Sequence, residues 1–349
     1  MIRCSLVALC IGALTPRPAV AQSPAEVTLE IVHAATYHLP TAGGAMYYAV
    51  AEARNPGDAV VGDVVVRLVG YRADGSVVGE AKGYALVPAL RPGESGPVVV
   101  VMAQAQPGEV ARHELSVVGR AGAPEPFAPS LRLLGADRIW ESPGKRYIVG
   151  ELVSGAAETI GDLAIVAGLY STDGRLLHVV RAPALVQPIA AGQRTPFLVE
   201  VPPDPAVNSW RFWYVAAPFV GHPVPLAVRV AAADADDYGR VVVSAVVTNQ
   251  SSAAARDLRA VAILRDAQGR IVNVGALDPL AGTAEVPGYG EETLRLVADA
   301  QPGFASIEVR AASSTALLLA PERFGTFFPI VHRPEVPRAA DETSHEDQG

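Results

Sequence analysis

The chain has little cysteine, little lysine and no long apolar run after its start. Its 349 residues include two cysteines, Cys4 and Cys10, both close to the N-terminus. The remaining sequence therefore has no thiol for a disulfide or for a cysteine-ligated metal. The best apolar run near the C-terminus, Ala316 to Pro321, is much shorter than the roughly 20 residues of a membrane-spanning helix. We expect stability to come from burial alone.

The N-terminal segment has the three-part composition of an export signal. Arg3 gives a basic start, an apolar run follows from Ser5 to Leu14, and Ala19-Val20-Ala21 supplies the small residues of a cleavage site. We predict a signal peptide over residues 1–21, with cleavage before Gln22. The mature chain is then expected to be secreted or associated with the cell surface, without a transmembrane segment.

The charge balance excludes one class of partner. Lysine occurs at Lys82 and Lys145 alone, so the positive charge is almost all arginine, spread along the sequence. Without Arg3 and Arg17, 26 basic residues face 36 acidic ones, a formal charge of −10. Nucleic acid is therefore not expected to bind.

Proline and glycine are abundant, and an internal repeat orders the chain. The 29 Pro and 32 Gly residues interrupt any helical period. A small polar residue, an Asp eight positions later and a Gly twelve after that occur three times: Asn55/Asp63/Gly75, Ser154/Asp162/Gly174 and Asn249/Asp257/Gly269. The identical spacing indicates three similar units.

Apolar residues alternate along the two strands that flank each repeated turn, which predicts strands with one face on a core. In the first strand the inward residues are Ala49, Ala51, Ala53; Ile148, Gly150, Leu152; and Val243, Ala245, Val247. In the second they are Val64, Val66, Leu68; Leu163, Ile165, Ala167; and Leu258, Ala260, Ala262. The opposite faces are mixed in character, and we expect them to lie outside the cores.

These patterns predict an all-β fold of three tandem antiparallel Ig-like β-sandwich domains in an extended arrangement. The predicted domains are residues 26–122, 130–221 and 225–319. Short Pro-rich joints, Gly122 to Pro129 and Gly221 to Pro225, are expected to act as semi-rigid spacers. Residues 320–349 are expected to form a C-terminal segment with a disordered acidic tail, and its Phe327–Arg333 stretch is predicted to be either a terminal strand or a sorting element.

The second repeat resembles a known family. Val149-Gly150-Glu151-Leu152, Gly168-Leu169-Tyr170-Ser171-Thr172-Asp173-Gly174 and Thr195-Pro196-Phe197 are similar to FxLYD domains of bacterial secreted proteins. Val247-Thr248-Asn249-Gln250 in the third repeat resembles CARDB domains instead. Either resemblance implies Ig-like domains of the bacterial cell envelope, and neither family brings a catalytic constellation.

Few residues suggest chemistry. The sequence has neither a nucleophile elbow nor a phosphate-binding glycine loop, so we expect no enzyme activity and no cofactor. Asp234, Asp236 and Asp237 are a candidate calcium cluster, because Ca²⁺ prefers carboxylate oxygens. Their spacing lacks the full ligand run of a calcium loop, which favours solvated turn acids.

The aromatic residues of the second repeat suggest a binding site. In Trp210-Arg211-Phe212-Trp213-Tyr214, alternation places Trp210, Phe212 and Tyr214 on one face and Arg211 with Trp213 on the other. If the first set fills the core, Arg211 and Trp213 form a candidate ligand platform. The alternative is that Trp213 packs against a neighbouring domain.

Together these features indicate a secreted, non-enzymatic repeat protein that acts as a binding or spacer module of the cell envelope. Its expected partner is a protein or glycan at the cell surface. The alternative hypothesis is a carbohydrate-binding accessory protein that uses the aromatic residues of the second domain.

Overall fold

The computed structural model describes residues 25–41, 44–103, 105–142, 144–277 and 285–314. The predicted signal peptide and the Phe327–Arg333 stretch lie outside these residues. The part described is all-β, and every strand pairing in it is antiparallel. It contains no helix long and apolar enough to cross a membrane. The predicted fold class, all-β with antiparallel sheets, is confirmed.

The strands fall into three groups that follow the three repeats. The first group is β1 (Glu26–Thr28), β2 (Glu30–Thr41), β3 (Gly44–Arg54), β4 (Val61–Tyr71), β5 (Val77–Ala85), β6 (Ala89–Leu90), β7 (Ser95–Met102) and β8 (Arg112–Ala121). The second is β9 (Leu131–Gly135), β10 (Trp140–Ser142), β11 (Lys145–Ser154), β12 (Ile160–Tyr170), β13 (Leu176–Pro183), β14 (Arg194–Val201) and β15 (Ser209–Pro218). The third is β16 (Leu226–Ala235), β17 (Arg240–Asn249), β18 (Arg256–Asp266), β19 (Ile271–Leu277), β20 (Glu291–Asp299) and β21 (Phe304–Ser314).

Each group has two layers of strands around its own apolar core. In the first group the sheet order is β1-β8-β4-β5-β7-β3-β2, and the sheet folds over where β5 pairs first with β4 and then with β7. The third group repeats this as β16-β17-β20-β19-β18-β21. In the second group β10-β11-β14, with β9 on β11, is a separate sheet from β13-β12-β15.

The predicted inward faces do line these cores. In the second group Ile148 and Leu152 of β11 meet Leu163, Ile165 and Ala167 of β12, all of them buried. The corresponding residues of the first and third groups lie in their own cores. The alternation of the sequence therefore placed the strands and their inward faces correctly, because burying one face of a two-residue period fixes the register.

The repeated polar residue closes the turn between the two conserved strands from within. Asn55 and Asn249 are buried, and each side-chain amide donates to two backbone carbonyls while its oxygen accepts a backbone N–H two residues later. At the same position in the second group, Ser154 Oγ accepts the N–H of Ala156. These bonds satisfy polar groups that lie away from water.

The repeated Asp marks a β-bulge in all three groups. Asp63, Asp162 and Asp257 have positive φ angles of 47°, 44° and 49°, and the pairing with β8, β15 and β21 shifts register at that point. Aspartate is one of the few non-glycine residues that adopts this left-handed conformation readily. The Asp is thus selected by the backbone and not by a ligand.

Replacement of Asn249 by alanine tests the role of the polar position. The substitution leaves the N–H of Ser251 without its acceptor. It also removes one of the two donors to each of the carbonyls of Ala253 and Val286, which keep Ser251 Oγ and the N–H of Ala255. We expect a loss of about 1–3 kcal/mol in the free energy of unfolding, measured by urea titration. The exposed Asn208→Ala should change it by less than about 0.5 kcal/mol. Equal effects of the two substitutions would contradict the assignment.

Candidate functional site

The outward faces of β3 and β11 are buried between the strand groups. Val50, Tyr170 and Leu176 form one apolar cluster between the first and second groups. Tyr147, Val149 and Ile263 belong to another, between the second and third. We expected these faces to lie outside the cores, and they do, but neighbouring groups cover them. The layers of adjacent groups therefore pack face to face and are not linked by the joints alone.

A buried carboxylate lies in the first junction. Glu52 of β3 is 3% exposed; its Oε1 accepts the hydroxyl of Tyr170 from the second group, and its Oε2 accepts Ser95 Oγ at 3.1 Å. The guanidinium of Arg211, on β15, lies 3.5 Å from the same Oε2. Burial, followed by the hydrogen bond to Glu52, raises the pKa of Tyr170, so that this hydroxyl remains a donor.

A second buried carboxylate lies in the second junction. Glu151 of β11 is 2% exposed and accepts two hydrogen bonds from Arg265 of β18, at 2.8 and 3.0 Å. Arg310 of β21 lies 3.0 Å from Glu151 Oε1, without the geometry of a hydrogen bond. Glu308 accepts Arg265 and Arg310 from the other side. Two carboxylates and two guanidiniums thus alternate across this junction.

The two junctions use equivalent positions of the repeat. Glu52 and Glu151 each stand three residues before the repeated polar residue, and Tyr170 and Arg265 each stand eight residues after the repeated Asp. In each junction the Glu carboxylate of one group accepts a hydrogen bond from a side chain of the next group. The donating residue stands eight positions after the repeated Asp of its own group. The repeat therefore encodes the contact between groups as well as each core.

The three groups thus form a stack with two outermost faces. At these faces the equivalent repeat positions do not form a junction pair. Val246 stands where the first two repeats have Glu. At the other end Tyr71, equivalent to Tyr170 and Arg265, donates its hydroxyl to Glu114 within its own group, and Arg67 pairs with Glu80 beside it. The outer face of the first group is therefore polar at these positions, as is typical of the capping units of repeat proteins, whereas the third group has the apolar, buried Val246 there.

The acidic groups of the second junction make it sensitive to pH. Burial alone raises the pKa of Glu308, but the hydrogen bonds and charges of Arg310 and Arg265 outweigh it and lower the pKa below its usual range. A carboxyl whose pKa is lower in the folded state stabilises that state above its unfolded pKa, and this contribution is lost as the pH falls. The junction is therefore expected to weaken in acid.

Glu308→Gln measures this contribution. At pH 7 the variant should unfold at a lower urea concentration than the unmodified chain, because Arg265 and Arg310 lose a charged acceptor. The difference between their midpoints should shrink as the pH falls below about 4.3, where unfolded glutamate is protonated. A difference independent of pH from 7 to 3 would contradict the assigned role.

Trp213 packs against a neighbouring group, the alternative to an exposed ligand platform. Trp213 is 8% exposed, and its indole Nε1 donates to the backbone carbonyl of Ser95 in the first group at 2.7 Å. Trp210, Phe212 and Tyr214 do pack on the core of the second group, as the alternation predicts. The opposite face of β15 is covered by the first group, so Trp213 is a contact between groups and is not available as an open platform.

Arg211, the other half of the predicted platform, borders an open groove. Its side chain is 54% exposed, and the guanidinium carbon lies 4.8 Å from the centre of the Trp213 ring. The groove has a volume of about 410 Å³, and the first and second groups together form its walls. Arg211 therefore remains accessible although its neighbour Trp213 is not.

The acidic cluster of the third group belongs to a hairpin. Asp236 accepts the N–H groups of Tyr238 and Arg240, and its other oxygen accepts Arg240 Nε at 2.7 Å. It is thus engaged in closing the turn between β16 and β17, near Asp234 and Asp237. Within the described ranges no three His, Cys, Asp or Glu side chains are grouped so as to hold a metal ion.

The sequence contained a signal for the junctions that our predictions did not use. Glu52 and Glu151 interrupt otherwise apolar strands at the same repeat position. The alternation assigns them to a mixed outer face, although a carboxylate that recurs at one register position indicates a specific partner. Arg265 and Arg310, which bind Glu151, show no comparable pattern, because the second repeat has Tyr170 and Trp213 in their places.

Comparison with known proteins adds little. No protein-family model matches this chain, and no curated protein matches it. Among solved structures it is similar to a chain described as "Biofilm associated protein - BSP domain", at 8% identity, over 85% of this chain and 84% of that chain, with a TM-score of 0.14. A similarity of this size carries no argument about this protein. The resemblance to FxLYD or CARDB domains stays a prediction.

Proposed function

We propose that this protein is a non-enzymatic spacer of the bacterial cell envelope, in which three sandwich domains are stacked at fixed separations. The observation that carries the proposal is the pair of buried carboxylates, Glu52 and Glu151, at equivalent positions of the two junctions. A carboxylate removed from water tolerates little displacement of its partners, because separating them leaves a buried charge uncompensated. Such junctions hold neighbouring domains in one orientation.

The joints support a fixed arrangement. In the first joint Glu125 binds Arg91 at 2.9 Å, and the N–H of Gly122 donates to the carbonyl of Val60. Beside the second joint the N–H of Val224 donates to the carbonyl of Ser313 in the third group.

Both ends of the stack lack the junction pair, because Val246 replaces the acid and Tyr71 is engaged by Glu114.

The envelope location follows from the predicted signal peptide, and the spacer role follows from the rigid stack. Fractionation of the producing cell tests the first: the chain should be found outside the cytoplasm and begin at Gln22. Small-angle X-ray scattering of residues 22–349 tests the second, through the shape of the particle at pH 7. Scattering that fits one rigid particle supports the proposal. Scattering that requires an ensemble of domains joined by flexible linkers contradicts it.

A further inference from the structure

We propose that the groove between the first and second strand groups binds a neutral saccharide. Its volume of about 410 Å³ lies within the roughly 300–1,000 Å³ typical of small-molecule sites. Residues of both groups line it, Arg54, Glu94 and His33 from the first and Arg211 and Tyr170 from the second. The junction therefore builds the site, which goes beyond a spacer role.

The groove offers hydrogen-bond donors that no described acceptor uses. Arg54 is 51% exposed, and its described ionic contact, with Glu30, is 3.9 Å long, beyond hydrogen-bonding distance. Both described polar contacts of Arg211, to Ser95 Oγ and Glu52, use the same nitrogen, Nη1. The remaining guanidinium N–H groups of both side chains are left for a ligand or for water.

Charge selects the class of ligand. Two arginines and two glutamates line the groove and balance each other's charge. Glu94 is accessible to a ligand, whereas Glu52 is buried and already accepts hydrogen bonds from Tyr170 and Ser95. An anion meets two carboxylates there and a cation meets two guanidiniums, so neither is favoured. A sugar hydroxyl both donates and accepts, and a saccharide can therefore use guanidinium and carboxylate groups side by side without carrying charge.

The aromatic lining fits the same class. The ring of His33 lies edge-on to Tyr170, with centroids 6.1 Å apart. Rings fixed in this way present apolar surface without losing side-chain entropy on binding, and the C–H face of a pyranose is a suitable partner for them.

Saturation-transfer NMR of residues 22–349 tests the proposal with cellobiose, maltose, lactose and N,N′-diacetylchitobiose as probes. We expect transfer to at least one of them, and an affinity at least tenfold weaker in Arg54→Ala. Arg54 contributes to neither junction pair, so this variant should fold normally. Arg67→Ala, which alters an exposed arginine on the outer face of the first group, is the matched control and should bind as the unmodified chain does.

Three outcomes would overturn the proposal. They are no transfer to any of the four probes, equal weakening by Arg54→Ala and Arg67→Ala, and binding of digalacturonic acid in preference to every neutral probe. The urea midpoint of each variant is measured alongside, so that a loss of binding with an unchanged midpoint is assigned to the groove. The spacer role is measured separately by scattering, so either proposal can fail without the other.

Discussion

Glu151→Ala is expected to lower the free energy of unfolding by about 3–5 kcal/mol at pH 7, because it leaves two arginines in the second junction without their buried partner. Arg265 loses both of its hydrogen bonds to Glu151, and Arg310 loses the carboxylate 3.0 Å away. Glu308 is left to compensate both guanidiniums. Urea titration followed by circular dichroism measures the loss.

Glu80→Ala is the matched control for Glu151→Ala. Glu80 also accepts two hydrogen bonds from one arginine, Arg67, at 2.6 and 2.7 Å, but both side chains are exposed. An exposed pair contributes little to stability, because water screens it, so Glu80→Ala should cost much less than Glu151→Ala. Similar losses for the two substitutions would show that the second junction is solvated and does not lock the groups together.

Trp213→Ala is expected to cost about 3–5 kcal/mol, the range for truncation of a buried tryptophan. The variant loses the packing of the indole against the first group and leaves the carbonyl of Ser95 without its donor. Tyr84→Ala, which removes an aromatic side chain that is 59% exposed, should change the free energy of unfolding by less than about 0.5 kcal/mol. A small effect of Trp213→Ala would indicate that Trp213 is exposed and available for ligand binding.

The sequence predicted the interior of each strand group and missed what lies between the groups. A period of two identifies which residues of β11 and β12 share a face, and Leu163 is buried as that pattern requires. The same period places Trp213 and Phe212 on opposite faces of β15, but it does not show what covers Trp213. That depends on how neighbouring groups approach each other, which is a long-range property of the joints and the outer faces.

The candidate groove was predictable only in part. Arg211 was singled out because it stands beside aromatic residues in one strand. Arg54 and His33 come from the first repeat, more than 150 positions away in the sequence, and face the groove only because the two groups pack together. Groups brought together by packing between repeats leave no local motif, so no spacing in the sequence reveals them.

The most direct test of the stack is the distance between its two outer layers. Residues 22–349 contain no cysteine, so Ser116→Cys on β8 and Thr293→Cys on β20 can carry two spin labels without competing thiols. Six layers, each about 10 Å from the next, place the labelled strands about 50 Å apart, and a double electron–electron resonance measurement should give one narrow distribution near that value. Domains joined end to end would separate the labels by two strand lengths, roughly 70 Å, and a distribution centred there, or one broad enough to span both values, would contradict the face-to-face stack.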